Sequence, residues 1–143
     1  MSTSCLLVGN QLALVGAVLF SGPLWPEPCW LRVLLLAGIG LGGWAILVMK
    51  PGRFNIIPEV AKGAHLVSRG PYRWVRHPMY TSVLLITAAS LLNHPGLWRG
   101  LAWLALLLVL WVKMQCEERF LLERFPAYPS YREKTRRLIP FIF

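Results

Sequence analysis

Apolar residues along the chain are gathered into four blocks rather than dispersed in stripes. The blocks run over residues 5–24, 30–49, 79–98 and 99–116. The first is broken only by Asn10 and Gln11, and the turn Pro26-Glu27-Pro28 closes it. It lacks the basic leading region of a signal peptide. The second is 20 residues long; at ~1.5 Å per residue it reaches about 30 Å, the thickness of a bilayer's hydrocarbon core. The third is strictly apolar only from Met79 to Leu92, roughly 21 Å of helix. It is therefore short, tilted, or carried through Asn93-His94-Pro95-Gly96 by neighbours that satisfy its backbone. The fourth ends abruptly in Glu117-Glu118-Arg119. The pattern predicts an all-α integral membrane protein of about four transmembrane helices. Residues 50–78 form a polar loop, and residues 117–143 form a C-terminal helical tail.

Composition supports this reading: 56% of the 143 residues are hydrophobic and only 15% charged, against about a quarter charged in soluble domains. Seven Trp and four Tyr suit the bilayer interface. The formal charge of +9 does not point to nucleic acid, because the basic residues lie between or after the apolar blocks. Lys50, Arg53, Lys62, Arg69, Arg73 and Arg76 fill the loop; Arg119, Arg124, Arg132, Lys134, Arg136 and Arg137 fill the tail. Two spans separate these segments, so both fall on one side, and the excess of positive charge makes that side cytoplasmic, with both termini. The membrane is then a prokaryotic plasma or inner membrane, or a eukaryotic endoplasmic reticulum. The opposite side keeps two short hairpins, bearing Arg32 and Arg99. Cys5, Cys29 and Cys116 have no spacing suited to a disulfide framework or a metal and read as packing residues.

Gly38-Ile39-Gly40-Leu41-Gly42-Gly43 matches the dinucleotide-binding spacing G-x-G-x-x-G but lies inside an apolar helix without a preceding strand. It reads instead as a G-x-x-x-G packing face through Gly38 and Gly42, which leaves room for a homo-oligomer.

Chemistry can converge only at the cytoplasmic boundary. Pro78 suits the first position of the third helix, which makes His77 the N-cap residue and opens the helix start to an anion. His77 and Tyr80, three residues apart, share a face. The fourth span offers Lys113 and Glu117 four residues apart, with Glu118 adjacent. All six acids are Glu (27, 59, 117, 118, 123, 133), and two adjacent ones at a helix C-terminus oppose the macrodipole unless a cation such as Arg76, Arg119 or a ligand offsets them. Ionisable groups at membrane depth are functional candidates.

Arg76-His77-Pro78-x-Tyr80, preceded by His65-Leu66-Val67-x-x-Gly70-x-Tyr72 and followed one span later by Glu117-Glu118, resembles the isoprenylcysteine carboxyl methyltransferase family and the related phospholipid N-methyltransferases. The tail Phe125-x-x-Tyr128-x-x-Tyr131-x-x-x-x-x-Arg137-x-x-Pro140-Phe141-Ile142 resembles that family's C-terminus. The resemblance implies a membrane enzyme whose loop and tail form a pocket for S-adenosylmethionine. It places Ala64, His65, Leu66, Val67, Tyr72, His77, Pro78, Met79, Tyr80 and Glu117 at the cofactor, and Arg76, His77, Glu117 and Glu118 in the catalytic machinery. Lys113 stands where the prenylcysteine enzymes have a substrate-contacting Arg, and lacks the planar two-pronged grip of a guanidinium on a carboxylate.

Methyl transfer from a sulfonium demands proximity, alignment and dryness. A carboxylate, aromatic faces and a helix N-terminus suit such a cofactor. The expected acceptor is a lipophilic or lipid-modified molecule, foremost a prenylcysteine-like carboxylate. A phospholipid amine would need a general base, for which Glu118 is the candidate. Other small lipophiles with an O, N or S nucleophile also qualify. A small four-helix transporter would need an ionisable group in mid-membrane, and a non-catalytic scaffold would leave the His, Tyr and Glu constellation unexplained.

Overall fold

The computed structural model of the chain describes residues 3–49 and 66–139, with side chains from Leu6 onward. Its helices are α1 (Thr3–Phe20), α2 (Cys29–Met49), α3 (Pro78–Asn93), α4 (Leu97–Arg124) and α5 (Tyr128–Lys134), with a 3-10 turn at Gly70–Arg73 before α3. Among the described residues there is no strand, only an isolated parallel bridge between Val75 and Arg136. Two helices, α2 with 21 residues and α4 with 28, are long and apolar enough to cross a membrane, at about 31 and 42 Å. The apolar stretches of α1 and α3 are shorter.

Two expected boundaries move. The third helix stops at Asn93 rather than near residue 98, because the Pro95-Gly96 pair cannot continue it. The fourth does not end at residue 116 but runs through Glu117 and Glu118 to Arg124. Hydropathy stops there; the backbone does not, because Glu, Arg and Leu are all good helix formers.

Packing centres on α3. It pairs most extensively with α2 and also touches α1 and α4, while α1 lies along α4. The α2–α3 contact depends on small groups. A Cβ on Gly38 would come within 2.9 Å of the Ile86 side chain, and one on Gly42 within 2.5 Å of Ser82 Oγ. That close approach lets Ser82 Oγ donate to the Gly38 carbonyl at 2.6 Å. The glycine pair is thus a packing face, as the spacing suggests. It is covered by α3 of the same chain, so contact between copies would have to use another surface.

On the other side, Leu106, Leu110 and Met114 of α4 recur every fourth residue and close on Tyr80 of α3, flanked by Leu14 and Val15 of α1. The opposite face of α4 is just as apolar and points outward through Leu97, Leu101, Leu104 and Leu108. A helix hydrophobic all round, in a bundle with one apolar face turned out, belongs in lipid. This is an integral membrane protein.

Candidate functional site

The polar chemistry gathers where the start of α3 meets the last three turns of α4. Pro78 occupies the first turn of α3 and His77 is its N-cap, as expected, although the imidazole itself does not cap. The His77 carbonyl accepts from Tyr80 N–H (3.0 Å) and Thr81 N–H (3.1 Å). This leaves the ring free to lie nearly parallel to Tyr80, with centroids 5.5 Å apart.

From α4, both glutamates reach that ring. His77 Nδ1 is 3.5 Å from Glu117 Oε2, and Nε2 is 3.4 Å from Glu118 Oε1. The second contact lacks hydrogen-bond geometry, and among the described residues the buried Nε2 has no other partner. Burial alone would push the imidazole pKa down; the close contacts and negative charge of Glu117 and Glu118 outweigh it and leave the pKa raised above its ordinary 6.5. Tyr80 O–H donates a short hydrogen bond to Glu117 Oε1.

The two glutamates are not equivalent. Glu118 has 4% of its side chain exposed, and both its oxygens are taken: Arg76 Nε donates at 2.8 Å and Arg137 Nη2 at 3.1 Å. Glu117 keeps 26% of its side chain exposed and, among the described residues, its carboxylate meets His77 and Tyr80. The expectation of two carboxylates at a helix C-terminus is corrected. They lie well before the end of α4 and against the first turn of α3, where the macrodipole favours negative charge. Glu118, read from the sequence as a candidate general base, accepts one guanidinium hydrogen bond at each oxygen and so anchors Arg76 and Arg137. Arg76 likewise turns inward, its Nη1 donating to the Thr135 carbonyl at 2.5 Å and the Arg132 carbonyl at 3.1 Å.

The Arg132 carbonyl lies in the last turn of α5, and Thr135 begins a strap after that helix that closes over the site. Arg76 N–H donates to Arg136 O (2.7 Å), His77 N–H to Arg137 O (3.1 Å), and Arg136 N–H to Trp74 O (3.0 Å). Thr81 Oγ1 holds the Leu138 carbonyl at 2.8 Å, and Tyr131 O–H reaches the Tyr72 carbonyl at 2.6 Å. Burial raises the hydroxyl pKa of Tyr72, with Tyr131 and Glu117 adding to it. Burial also lifts Tyr131 to about 12, against the pull of Arg76. The Tyr72 hydroxyl is buried with no hydrogen-bond partner among the described residues.

Of the sequence-derived site residues, His77, Tyr80, Glu117, Glu118 and Arg76 converge, with Tyr72 beside them. Pro78 is buried at the helix start, and Met79, Leu66 and Val67 are half-buried. Ala64 and His65 lie outside the described residues, as do residues 140–142 of the tail motif. Lys113 is buried one turn before Glu117, with Nζ 5.1 Å from the Tyr80 ring centre and 2.7 Å from Gln11 Oε1. Two partners went unassigned from the sequence. Arg137 was visible only as part of the tail motif, and Gln11 only as a polar break in the first block.

Apolar helices turned outward, with an Arg–Glu–His–Tyr cluster sealed at one end, define an integral membrane protein with a buried ionic centre. The chain belongs to the isoprenylcysteine carboxyl methyltransferase (ICMT) family, whose model matches residues 30–123. It is also similar to the cobalt-zinc-cadmium resistance protein CzcN of Cupriavidus metallidurans, 29% identical over 133 residues, which cover 88% of this chain and 58% of CzcN. The chain thus spans little more than half the length of that relative.

Proposed function

We propose that the chain is a membrane methyltransferase that moves a methyl group from S-adenosylmethionine to a lipophilic acceptor, foremost a prenylcysteine-like carboxylate. The observation that carries this reading is the asymmetry of the glutamate pair: Glu118 is locked between two guanidinium groups, while Glu117 is left as the partly open carboxylate beside two aromatic rings. The residues present fit the cofactor. Among the described residues the buried Tyr72 hydroxyl has no hydrogen-bond partner, and Glu117 suits a cation.

When bound, S-adenosylmethionine supplies an electrophilic methyl group on a sulfonium. Glu117 would hold the positive end of the cofactor, with the faces of Tyr72 and Tyr80 beside it. His77 fixes Glu117 in place, and Arg76 and Arg137 fix Glu118, so the cluster needs little reorganisation when loaded. The strap keeps water from the reacting atoms. An ionised carboxylate acceptor needs no base, which fits a site whose second glutamate is already paired with two guanidinium groups.

In this reading all four long helices span the bilayer, both termini are cytoplasmic, and the site lies at the cytoplasmic interface. The test is incubation of the full chain, in detergent, with methyl-labelled S-adenosylmethionine and either total lipid or N-acetyl-S-farnesylcysteine. Label that enters the lipophilic fraction and is released by base supports carboxyl methylation; label resistant to base assigns amine methylation. Absence of transfer, together with no stabilisation by S-adenosylhomocysteine, overturns the reading.

A further inference from the structure

The end of the bundle opposite the glutamate pair gathers donors that lack acceptors. Two hairpins meet there, residues 21–28 between α1 and α2 and residues 94–96 between α3 and α4. Arg32 Nη2 donates to the Glu27 carbonyl at 2.9 Å, and Glu27 N–H donates to Asn93 Oδ1 at 3.2 Å. The next carbonyl along the chain, that of His94, accepts from Arg99 Nη1 at 2.7 Å. One backbone residue therefore separates Arg32 from Asn93, and one peptide unit separates Asn93 from the group that holds Arg99. Each of the three side chains keeps a buried N–H with no acceptor among the described residues: Arg32 Nε, Asn93 Nδ2 and Arg99 Nε. The Asn93 amide cannot be turned round to hide this, because only its oxygen can meet the Glu27 N–H. The unpaired groups at the other end, in Tyr72, His77 and Tyr128, can accept as well as donate; these three can only donate. What is missing is an acceptor, and the charge says of which kind. Arg99 is only 6% exposed, and buried guanidinium groups favour an anion. The local acid, Glu27, lends the network its backbone and makes no ion pair among the described residues.

We propose that Arg32, Asn93 and Arg99 together bind one phosphate group, presented by a phospholipid headgroup of the adjoining leaflet or free in solution. A phosphate offers several acceptor oxygens to guanidinium and amide donors at once, and so supplies what the fold withholds. Its depth fits a lipid source. Trp25, Trp30 and Trp98 stand exposed on or beside the same two hairpins, and exposed tryptophans favour the headgroup level, where lipid phosphates lie. The ligand would also be felt by the whole bundle. Arg99 already joins α1 to α3 through the Val18 and Ser90 carbonyls, and Arg32 brings in α2, so one phosphate would tie the ends of all four long helices. The site lies at the far end from Glu117 and Glu118 and does not depend on the methyltransferase reading.

The experiment is a thermal melt of the full chain in dodecyl maltoside, an uncharged detergent. It is titrated with dioleoylphosphatidylglycerol, with dioleoylglycerol, which has the same tails and no phosphate, or with inorganic phosphate at constant ionic strength. Wild type, Arg32→Gln, Asn93→Asp and Arg124→Gln are compared. Asn93→Asp keeps the acceptor for Glu27 N–H and replaces the unpaired donor with a carboxylate oxygen. Arg124→Gln removes one positive charge from the opposite end of α4 and controls for general attraction. The melting temperature of the wild type should rise with the phospholipid and not with dioleoylglycerol. The apparent affinity should fall at least about tenfold in Arg32→Gln, the loss expected for one charge-assisted hydrogen bond. It should vanish in Asn93→Asp and stay unchanged in Arg124→Gln. A response confined to the phospholipid assigns the headgroup as the source; a response to inorganic phosphate with the same variant pattern assigns the free anion as a ligand. Equal stabilisation by dioleoylglycerol, no response to either phosphate compound, or a response undiminished in Arg32→Gln or Asn93→Asp would overturn the proposal.

Discussion

Arg76 and Arg99 are both withdrawn from solvent, at opposite ends of the bundle, and they meet different company. Arg76 bonds a carboxylate that is itself shared with Arg137 and touches His77. Arg99, 6% exposed, has no acid beside it among the described residues. Its guanidinium donates to the carbonyls of Val18 (2.8 Å), Ser90 (3.0 Å) and His94 (2.7 Å) and to Ser90 Oγ (2.7 Å). These carbonyls sit at the C-terminal ends of α1 and α3, which carry partial negative charge and unpaired acceptors. One arginine therefore neutralises two helix ends with dipoles alone and fastens α1 to α3. The turn crosses so close that a Cβ on Gly22 would lie 2.7 Å from Arg99 Nη1. The other end spends its cations on side-chain charge and leaves one carboxylate partly free. Full ionic pairs are thus concentrated where charge can be used, and the far end is closed with backbone.

If this division is right, the largest effect comes from Glu118→Gln. It strands two guanidinium groups, and should cost about 3–5 kcal/mol along with most methyl transfer, read by denaturant unfolding and by label incorporation; a variant that loses activity without losing stability would give Glu118 a direct chemical role. Next is Arg99→Met, expected to lower stability by about 2–3 kcal/mol as buried carbonyls lose their donor. Its KM values should stay unchanged in the protein that remains folded. Altered KM at intact stability would erase the contrast between the two ends.

Smaller is Tyr131→Phe, which removes one bond to the Tyr72 carbonyl and should cost about 1 kcal/mol; a neutral result in unfolding experiments would mean the strap is held by its backbone alone. Subtlest is pH. The His77 pKa is raised on folding, so its contribution is complete below the unfolded value of about 6.5 and fades as pH rises through the higher folded value. The melting temperature of the wild type relative to His77→Asn should fall as pH rises above about 6.5, and a constant or growing gap would contradict the imidazole–carboxylate contact.

The sequence made the helices legible because lipid demands apolar surface on every side, and blocks such as residues 30–49 have few other readings. It also brought His77, Tyr80 and Glu117 into view, since Pro78 fixes where α3 starts and four-residue spacing fixes a face of α4. What it could not show were contacts made through a third element. Arg137 reaches Glu118 only because the strap runs parallel to residues 74–77. Arg99 looked like a hairpin marker because a donor to backbone carbonyls leaves no trace in side-chain patterns. The Gln11–Lys113 pair was within reach: two hydrogen-bonding side chains in separate apolar blocks have few partners but each other.

The strap also sets a timetable. Arg76 and the Thr135 carbonyl it binds are 59 residues apart, so the ionic centre cannot assemble when α3 and α4 enter the membrane. At synthesis rates of about 5–20 residues per second, roughly 3–12 s separate the two halves of that contact. Arg137 follows Glu118 by 19 residues, so for about 1–4 s at the end of this interval Glu118 lacks that partner and the cluster stands open. The nascent bundle is therefore a helical shell before it is a competent site, and any fusion or truncation that perturbs residues 135–138 should yield a protein that inserts but never closes.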